Sequence, residues 1–227
     1  MYVGKITRSW QAFKAWVPRH PRKSFVFALA GILIVSGLTG WIINQNSDKT
    51  SDQPKNPIAR QFKEQLPSLK QKAEKNPSNF DAQRDYAVAL YATGDTKEAK
   101  ERYERALRIR KDATTYNNLA NAQRDLGNYN DAIETYKKAI AANPKLVNPY
   151  TNLANIQMYS LGKTDDAIET YRQALKEVPN DPSLQVLLAL AYERKGDIPS
   201  AKQTLKSAQA SHPDDRNIQA NLARIEQ

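Results

Sequence analysis

Two kinds of apolar pattern divide this chain. From Phe25 to Ile43 the run FVFALAGILIVSGLTGWII holds 19 residues and no charge. Beyond it apolar residues return every three or four positions instead, with charged residues between them. The first pattern is apolar on all sides of a helix. The second is apolar on one side only, as in a helix that packs against a neighbour. The first therefore predicts a helix of about 28 Å, close to the ~30 Å hydrocarbon thickness of a bilayer. The second predicts a series of amphipathic helices. The stretch between, NQNSDKTSDQPKNP at 44–57, has no apolar period and reads as a flexible linker.

The amphipathic part opens with Ile58, Phe62, Leu66, Leu69 and Ala73 at helical spacing through 58–75, with Pro67 inside. A proline has no N–H and crowds the preceding turn, so a kink or a split into two helices is expected there. From about residue 80 the pattern becomes periodic. The glycines Gly94, Gly127, Gly162 and Gly196 stand 33, 35 and 34 residues apart. Each is followed by an alanine: Ala99, Ala132, Ala167 and Ala201. Four residues later comes a large side chain: Tyr103, Tyr136, Tyr171 and Leu205. Three further on is alanine again: Ala106, Ala139, Ala174 and Ala208. These offsets lie on one helix face. Prolines Pro144, Pro179 and Pro213 follow, with Lys111 in the first repeat. A second helix is predicted upstream of each glycine, carrying Tyr86, Ala87 and Leu90 in the first repeat and Leu188, Ala189 and Tyr192 in the last. The hexapeptide DAIETY, at 131–136 and 166–171, is the visible mark of this period. Its alanines and tyrosines belong to the packed face and its acids to solvated faces.

A period near 34 of helix, glycine turn, helix and proline resembles the tetratricopeptide repeat. The resemblance covers about 80–215, as four repeats at 80–112, 113–146, 147–181 and 182–215. The first repeat departs from the pattern, with Gln83 and Tyr86 in place of the usual large anchor and leucine. The third carries one extra residue near Met158–Ser160. Residues 58–79 and 216–227 would cap the two ends, as repeat arrays require. The expected architecture is an all-α superhelical solenoid of about four helix-turn-helix repeats, preceded by one transmembrane helix. The resemblance implies a concave groove lined by the first helix of each repeat. Its expected occupants are Asn117, Asn118, Asn121 and Arg124 in repeat two, and Asn152, Asn155 and Tyr159 in repeat three. Asparagine is a poor residue inside helices. Its amide offers donor and acceptor together, so it can clamp the backbone of an extended peptide. The competing reading is of asparagines tolerated on an exposed helix and copied by duplication. Ser183 and Leu187 stand where chaperone-binding relatives would carry basic residues, so capture of a chaperone tail is not expected. Val186, Leu187 and Leu190 would receive apolar side chains if open, and belong to the core if the end cap covers them.

Charge changes the picture at the N-terminus. The chain has 34 Lys and Arg against 24 Asp and Glu, a net charge of +10. Residues 1–43 hold six basic groups (Lys5, Arg8, Lys14, Arg19, Arg22 and Lys23) and no acid, which leaves 28 against 24 for the rest. A nucleic-acid partner is not expected from an excess concentrated in one arm. The 24-residue basic arm and the long apolar core argue for an uncleaved anchor at 25–43 over a signal peptide. The positive-inside rule then puts residues 1–24 in the cytoplasm and the repeats outside it. Ile6, Trp10, Phe13 and Val17 among basic residues suit a helix lying on anionic lipid, or a cytoplasmic binding peptide.

The chain has no cysteine, which excludes disulfides, thiolate metal sites and a cysteine nucleophile. His20 and His212 lie far apart beside prolines, with no second ligand at helical spacing. No nucleophile–base set, phosphate loop or metal motif appears. An enzyme, a metal and a cofactor are therefore not expected. The expected function is a single-pass membrane protein whose repeats bind a partner protein or peptide during assembly, secretion or maturation of an envelope complex. Two alternatives stay open: self-association into a membrane organiser, and the same scaffold with its repeats facing the cytoplasm.

Overall fold

The computed structural model describes residues 57–226. The basic arm, the apolar run at 25–43 and nearly all of the linker lie outside the described residues. Among the described residues no helix is long and apolar enough to cross a membrane. They form ten α-helices and no strand. The helices are α1 (Pro57–Lys75), α2 (Phe80–Thr93), α3 (Thr96–Ile109), α4 (Ala113–Asp125), α5 (Tyr129–Ala142), α6 (Val147–Asn155), α7 (Thr164–Glu177), α8 (Pro182–Lys195), α9 (Ile198–Ser211) and α10 (Arg216–Ile225). A π-helical turn, Ile156–Ser160, continues α6. Each repeat contributes a first helix (α2, α4, α6, α8) and a second (α3, α5, α7, α9).

Local chemistry explains where the first helices begin and end. Asn79, Asp112 and Asp181 cap α2, α4 and α8, each accepting from the backbone N–H three residues on. At the other end Gly94 and Gly196 take φ of 95° and 88°, a left-handed conformation that costs glycine little. There the N–H of Asp95 closes onto the carbonyl of Leu90 at 2.8 Å, and that of Asp197 onto Tyr192 at 2.9 Å. Asn128 closes onto Gln123 in the same way at 2.9 Å. In repeat three the matching bond runs from Lys163 to Gln157 at 2.7 Å, across one more residue. The extra residue is thus taken up by the π turn, where Leu161 N–H reaches the Ile156 carbonyl.

Packing follows the alanine and tyrosine period. Ala99, Ala132, Ala167 and Ala201 are fully buried, as are Ala106, Ala139, Ala174 and Ala208. A methyl side chain lets two helices approach closely, and Tyr103, Tyr136, Tyr171 and Leu205 fill the wider spaces beside them. The apolar residues form two clusters that meet on α4. Leu119 and Ala122 pack towards α1–α3, and Ala120 packs towards α5–α10.

The two end helices depart from expectation in detail. The helix α1 is one element through Pro67. Pro67 is exposed, while Leu66 and Leu69 pack on the α2 side and hold both halves together. A carbonyl that loses its helical donor on the solvent side can meet water instead. Ile58, read as part of the packed stripe, is 61% exposed. At the far end Ile218 and Leu222 of α10 are buried against the last repeat, with Arg224 bound through both nitrogens to Glu193 at 2.6 and 2.7 Å. Val186 is buried, and Leu187 and Leu190 are partly buried against the same cluster. They belong largely to the core, which removes the open apolar groove considered for repeat four.

Candidate peptide-binding face

The first helices of successive repeats touch one another, α2 with α4 and α4 with α6. This brings the asparagines of repeats two and three together. Asn152 donates from Nδ2 to Asn117 Oδ1 and to Asn121 Oδ1, both at 3.1 Å. Asn117 donates in turn to Asn118 Oδ1 at 3.4 Å. The buried Tyr136 hydroxyl donates to Asn121 Oδ1 at 2.5 Å, and the equivalent Tyr171 hydroxyl to Asn155 Oδ1 at 3.4 Å. Burial pushes the Tyr136 phenol well above its usual range, with Arg124 nearby opposing the shift. Burial does the same at Tyr171, and the neighbouring Tyr159 adds to it.

The consequence is a polarised row of amides. The oxygens of Asn117, Asn118, Asn121 and Asn155 are all engaged inside the fold. The NH2 groups of Asn118, Asn121 and Asn155 have no partner among the described residues, nor has the oxygen of Asn152. Asn117 is nearly closed off, at 7% exposure, and works within the row. The internal bonds fix the amide planes, so the remaining donors and the acceptor are held in place before any ligand arrives.

Arg124 and Tyr159 lie at the edges of this row. Arg124 donates from Nε to Asp125 Oδ1 at 2.8 Å, so its charge is met internally. The Tyr91 hydroxyl of α2 donates to the other oxygen of Asp125. Burial and that hydrogen bond push the Tyr91 phenol up to about 12. Tyr159, on the π turn, is 55% exposed, and the Arg194 guanidinium of α8 lies 4.7 Å from its ring centroid. Elsewhere, Lys137 pairs with Glu134 at 2.8 Å.

The residues missed from the sequence are Tyr136, Tyr171, Asp125 and Arg194. The sequence pattern marks Tyr136 and Tyr171 only as members of the packed face. A signal existed, since each follows its asparagine by one repeat-internal interval: Asn121 to Tyr136, and Asn155 to Tyr171 with the extra residue added. Arg194 carried none, because its partner lies in another repeat.

A cleft of about 450 Å³ opens between α5, α6 and α7, away from the amide row. Its lining includes Ile140, Leu153, Lys137, Glu177 and Tyr150, whose buried hydroxyl has no hydrogen-bond partner.

Models described as "Tetratricopeptide repeat" match residues 58–122 and 158–225, 113–146, and 135–169. The chain belongs to the tetratricopeptide repeat family. Matches starting at residue 58 and ending at 225 take α1 and α10 into the array as well. No match is found among curated proteins. Among solved structures the tetratricopeptide array is similar to MamA, at 23% identity and a TM-score of 0.59, over 67% of this chain and 84% of that one. It is also similar to the C-terminal part of a TPR repeat-containing protein from Cytophaga hutchinsonii, at 15% identity and a TM-score of 0.64, over 73% and 65%. A third is YrrB, described as a TPR protein with an unusual peptide-binding site, at 17% identity and a TM-score of 0.54, over 70% and 82%. These likenesses are of fold. They agree with a protein-interaction scaffold, which is the usual work of this family.

Proposed function

We propose that this chain is a membrane-tethered scaffold that holds an extended peptide of a partner protein along the amide row of α4 and α6. The observation that carries the proposal is the row's polarity. An extended peptide offers backbone carbonyls and N–H groups in alternation. Three fixed amide donors and one fixed acceptor suit such a ligand without reading its side chains. YrrB, a neighbour of the same fold, carries a peptide-binding site by its own description, which lends the reading an analogy of architecture. The tether is proposed from the uncharged run at 25–43. The basic arm before it supports a cytoplasmic N-terminus, contact with anionic lipid and repeats on the far side of the membrane. The role would be recruitment during assembly, secretion or maturation of an envelope complex.

The test is a photo-crosslinking amino acid in the full-length chain in its membranes, at Asn118 in one variant and at Gln173, beside the cleft, in another. The proposal expects an adduct of one partner from Asn118 and none of that mass from Gln173. Equal adducts from both positions would remove the amide row as the site. A dimer of this chain from Asn118 would replace the client with a second copy. Protease digestion of the repeats in intact cells, before the membrane is breached, would also support the orientation. Digestion only after cytoplasmic access would reverse it.

A further inference from the structure

The first helices carry four cations among the described residues, and three of them are met by carboxylates. Arg84 lies 2.8 Å from Asp81 and 2.7 Å from Asp85. Arg124 lies 2.8 Å from Asp125, and Lys195 lies 2.6 Å from Asp165. Arg194 is the fourth. Among the described residues it has no carboxylate within ion-pair reach, and its contact is the ring of Tyr159. Both side chains are exposed.

Arg194 differs from an ordinary solvated arginine in being oriented. A guanidinium on an aromatic face gives up part of its freedom and keeps its charge. The N–H groups at its edge remain available, in the fork that matches a carboxylate. Tyr159 is also tied to the amide row. It lies one turn beyond Asn155, on the π turn that the extra residue of repeat three creates. Its hydroxyl is close enough to Tyr171, which bonds Asn155, to affect the titration of that phenol. A cation with no internal acid, held at the end of a peptide-backbone row, favours a ligand that brings the acid.

We infer that Tyr159 and Arg194 form a subsite that selects an Asp or Glu side chain in the peptide held by the amide row. The inference rests on the peptide-binding reading above and adds a sequence requirement to it. An extended chain advances about 3.3 Å per residue, so the acid falls within about two residues of the segment at Asn155. The row itself takes any backbone, and Arg194 supplies the discrimination.

The experiment uses arrayed decapeptides attached through their C-termini, so that no free terminal carboxylate is present. One position at a time carries Glu, Gln or Lys, and the array is probed with the labelled full-length chain. The expected result is Glu preferred over Gln at one position by about tenfold, the scale of a charge-assisted hydrogen bond. Arg194→Gln should abolish that preference, and Arg194→Glu should turn it towards Lys. Circular dichroism melts of both variants should match the unaltered chain, because the side chain is exposed. Peptides that bind with Glu and Gln equally preferred would overturn the subsite and leave the groove intact. So would an acid preference that survives Arg194→Glu. If no peptide binds above a control variant carrying Asn121→Asp and Asn155→Asp, the peptide-binding reading fails and the subsite with it.

Discussion

At Asn121 one oxygen serves two donors, the Tyr136 hydroxyl and the Asn152 amide. This single atom shows why an asparagine can be structural and available at once. Its Oδ1 stabilises the packing of two repeats, and its Nδ2 faces outward. The two roles can be separated by substitution. Asn121→Ala leaves the buried Tyr136 hydroxyl without an acceptor and should lower stability by about 1–3 kcal/mol in a urea melt. Asn121→Asp keeps the acceptor and removes the donor, so stability should stay within about 1 kcal/mol while peptide binding falls. An alanine variant as stable as the original would mean that the Tyr136 bond does not matter. From sequence, these asparagines could be read only as a surface feature, equivalent between repeats. Their pairing depends on how closely α4 and α6 approach, where Ala120 and Ala154 are fully buried, and no local pattern states that distance.

At the scale of the element, the π turn is the feature that breaks the repeat. The sequence showed an extra residue near Met158–Ser160 but not its form. A loop, a longer turn and a widened helix all have the same length. The widened helix begins at Ile156 and keeps both Ile156 and Met158 buried, so the surplus is absorbed within 156–160. The surplus then emerges as exposed Tyr159 and Ser160. Removing Ser160 should restore the spacing of the other repeats from Gln157 to Lys163 without moving Ile156 or Met158. Thermal unfolding of that deletion variant should stay cooperative, with stability changed by no more than about 1 kcal/mol. A broad transition with lost helicity would show that the π turn is required for packing. Pro67 teaches the opposite lesson. The local rule predicted a break, and packing of Leu66 and Leu69 kept one helix.

Over the whole molecule, the repeating anchor is tyrosine, and this predicts how the array responds to alkali. Burial, followed by a hydrogen bond to an acid, pushes Tyr86 and Tyr91 from 10 up to about 12. Burial also raises Tyr103, Tyr136 and Tyr171. In each case the folded state binds the proton more tightly than the unfolded chain. The stabilisation is therefore complete below the unfolded value of 10 and is lost as pH rises from 10 through 12. The urea midpoint should hold constant between about pH 7 and 9 and fall steeply by about pH 11.5, and Tyr91→Phe should reduce the fall. An unchanged midpoint at about pH 11.5 would count against tyrosine burial as the cause. Because each repeat touches mainly its neighbours, the loss should spread along the array from several sites at once.

The all-α class, the period, the helix-ending glycines and the alanine–tyrosine face are legible in the amino-acid sequence, because all of them are local or repeat within 35 residues. The sequence also locates the asparagines on first helices and the extra residue in repeat three. Which amide atoms are engaged, that Arg194 alone among the first-helix cations meets no acid among the described residues, and that Leu187 and Leu190 lie largely within the core appear only in the folded chain. The physical reason is the same in each case. These properties arise between helices, where the approach of two elements selects a partner from residues about one repeat away or more, and no local pattern records that choice.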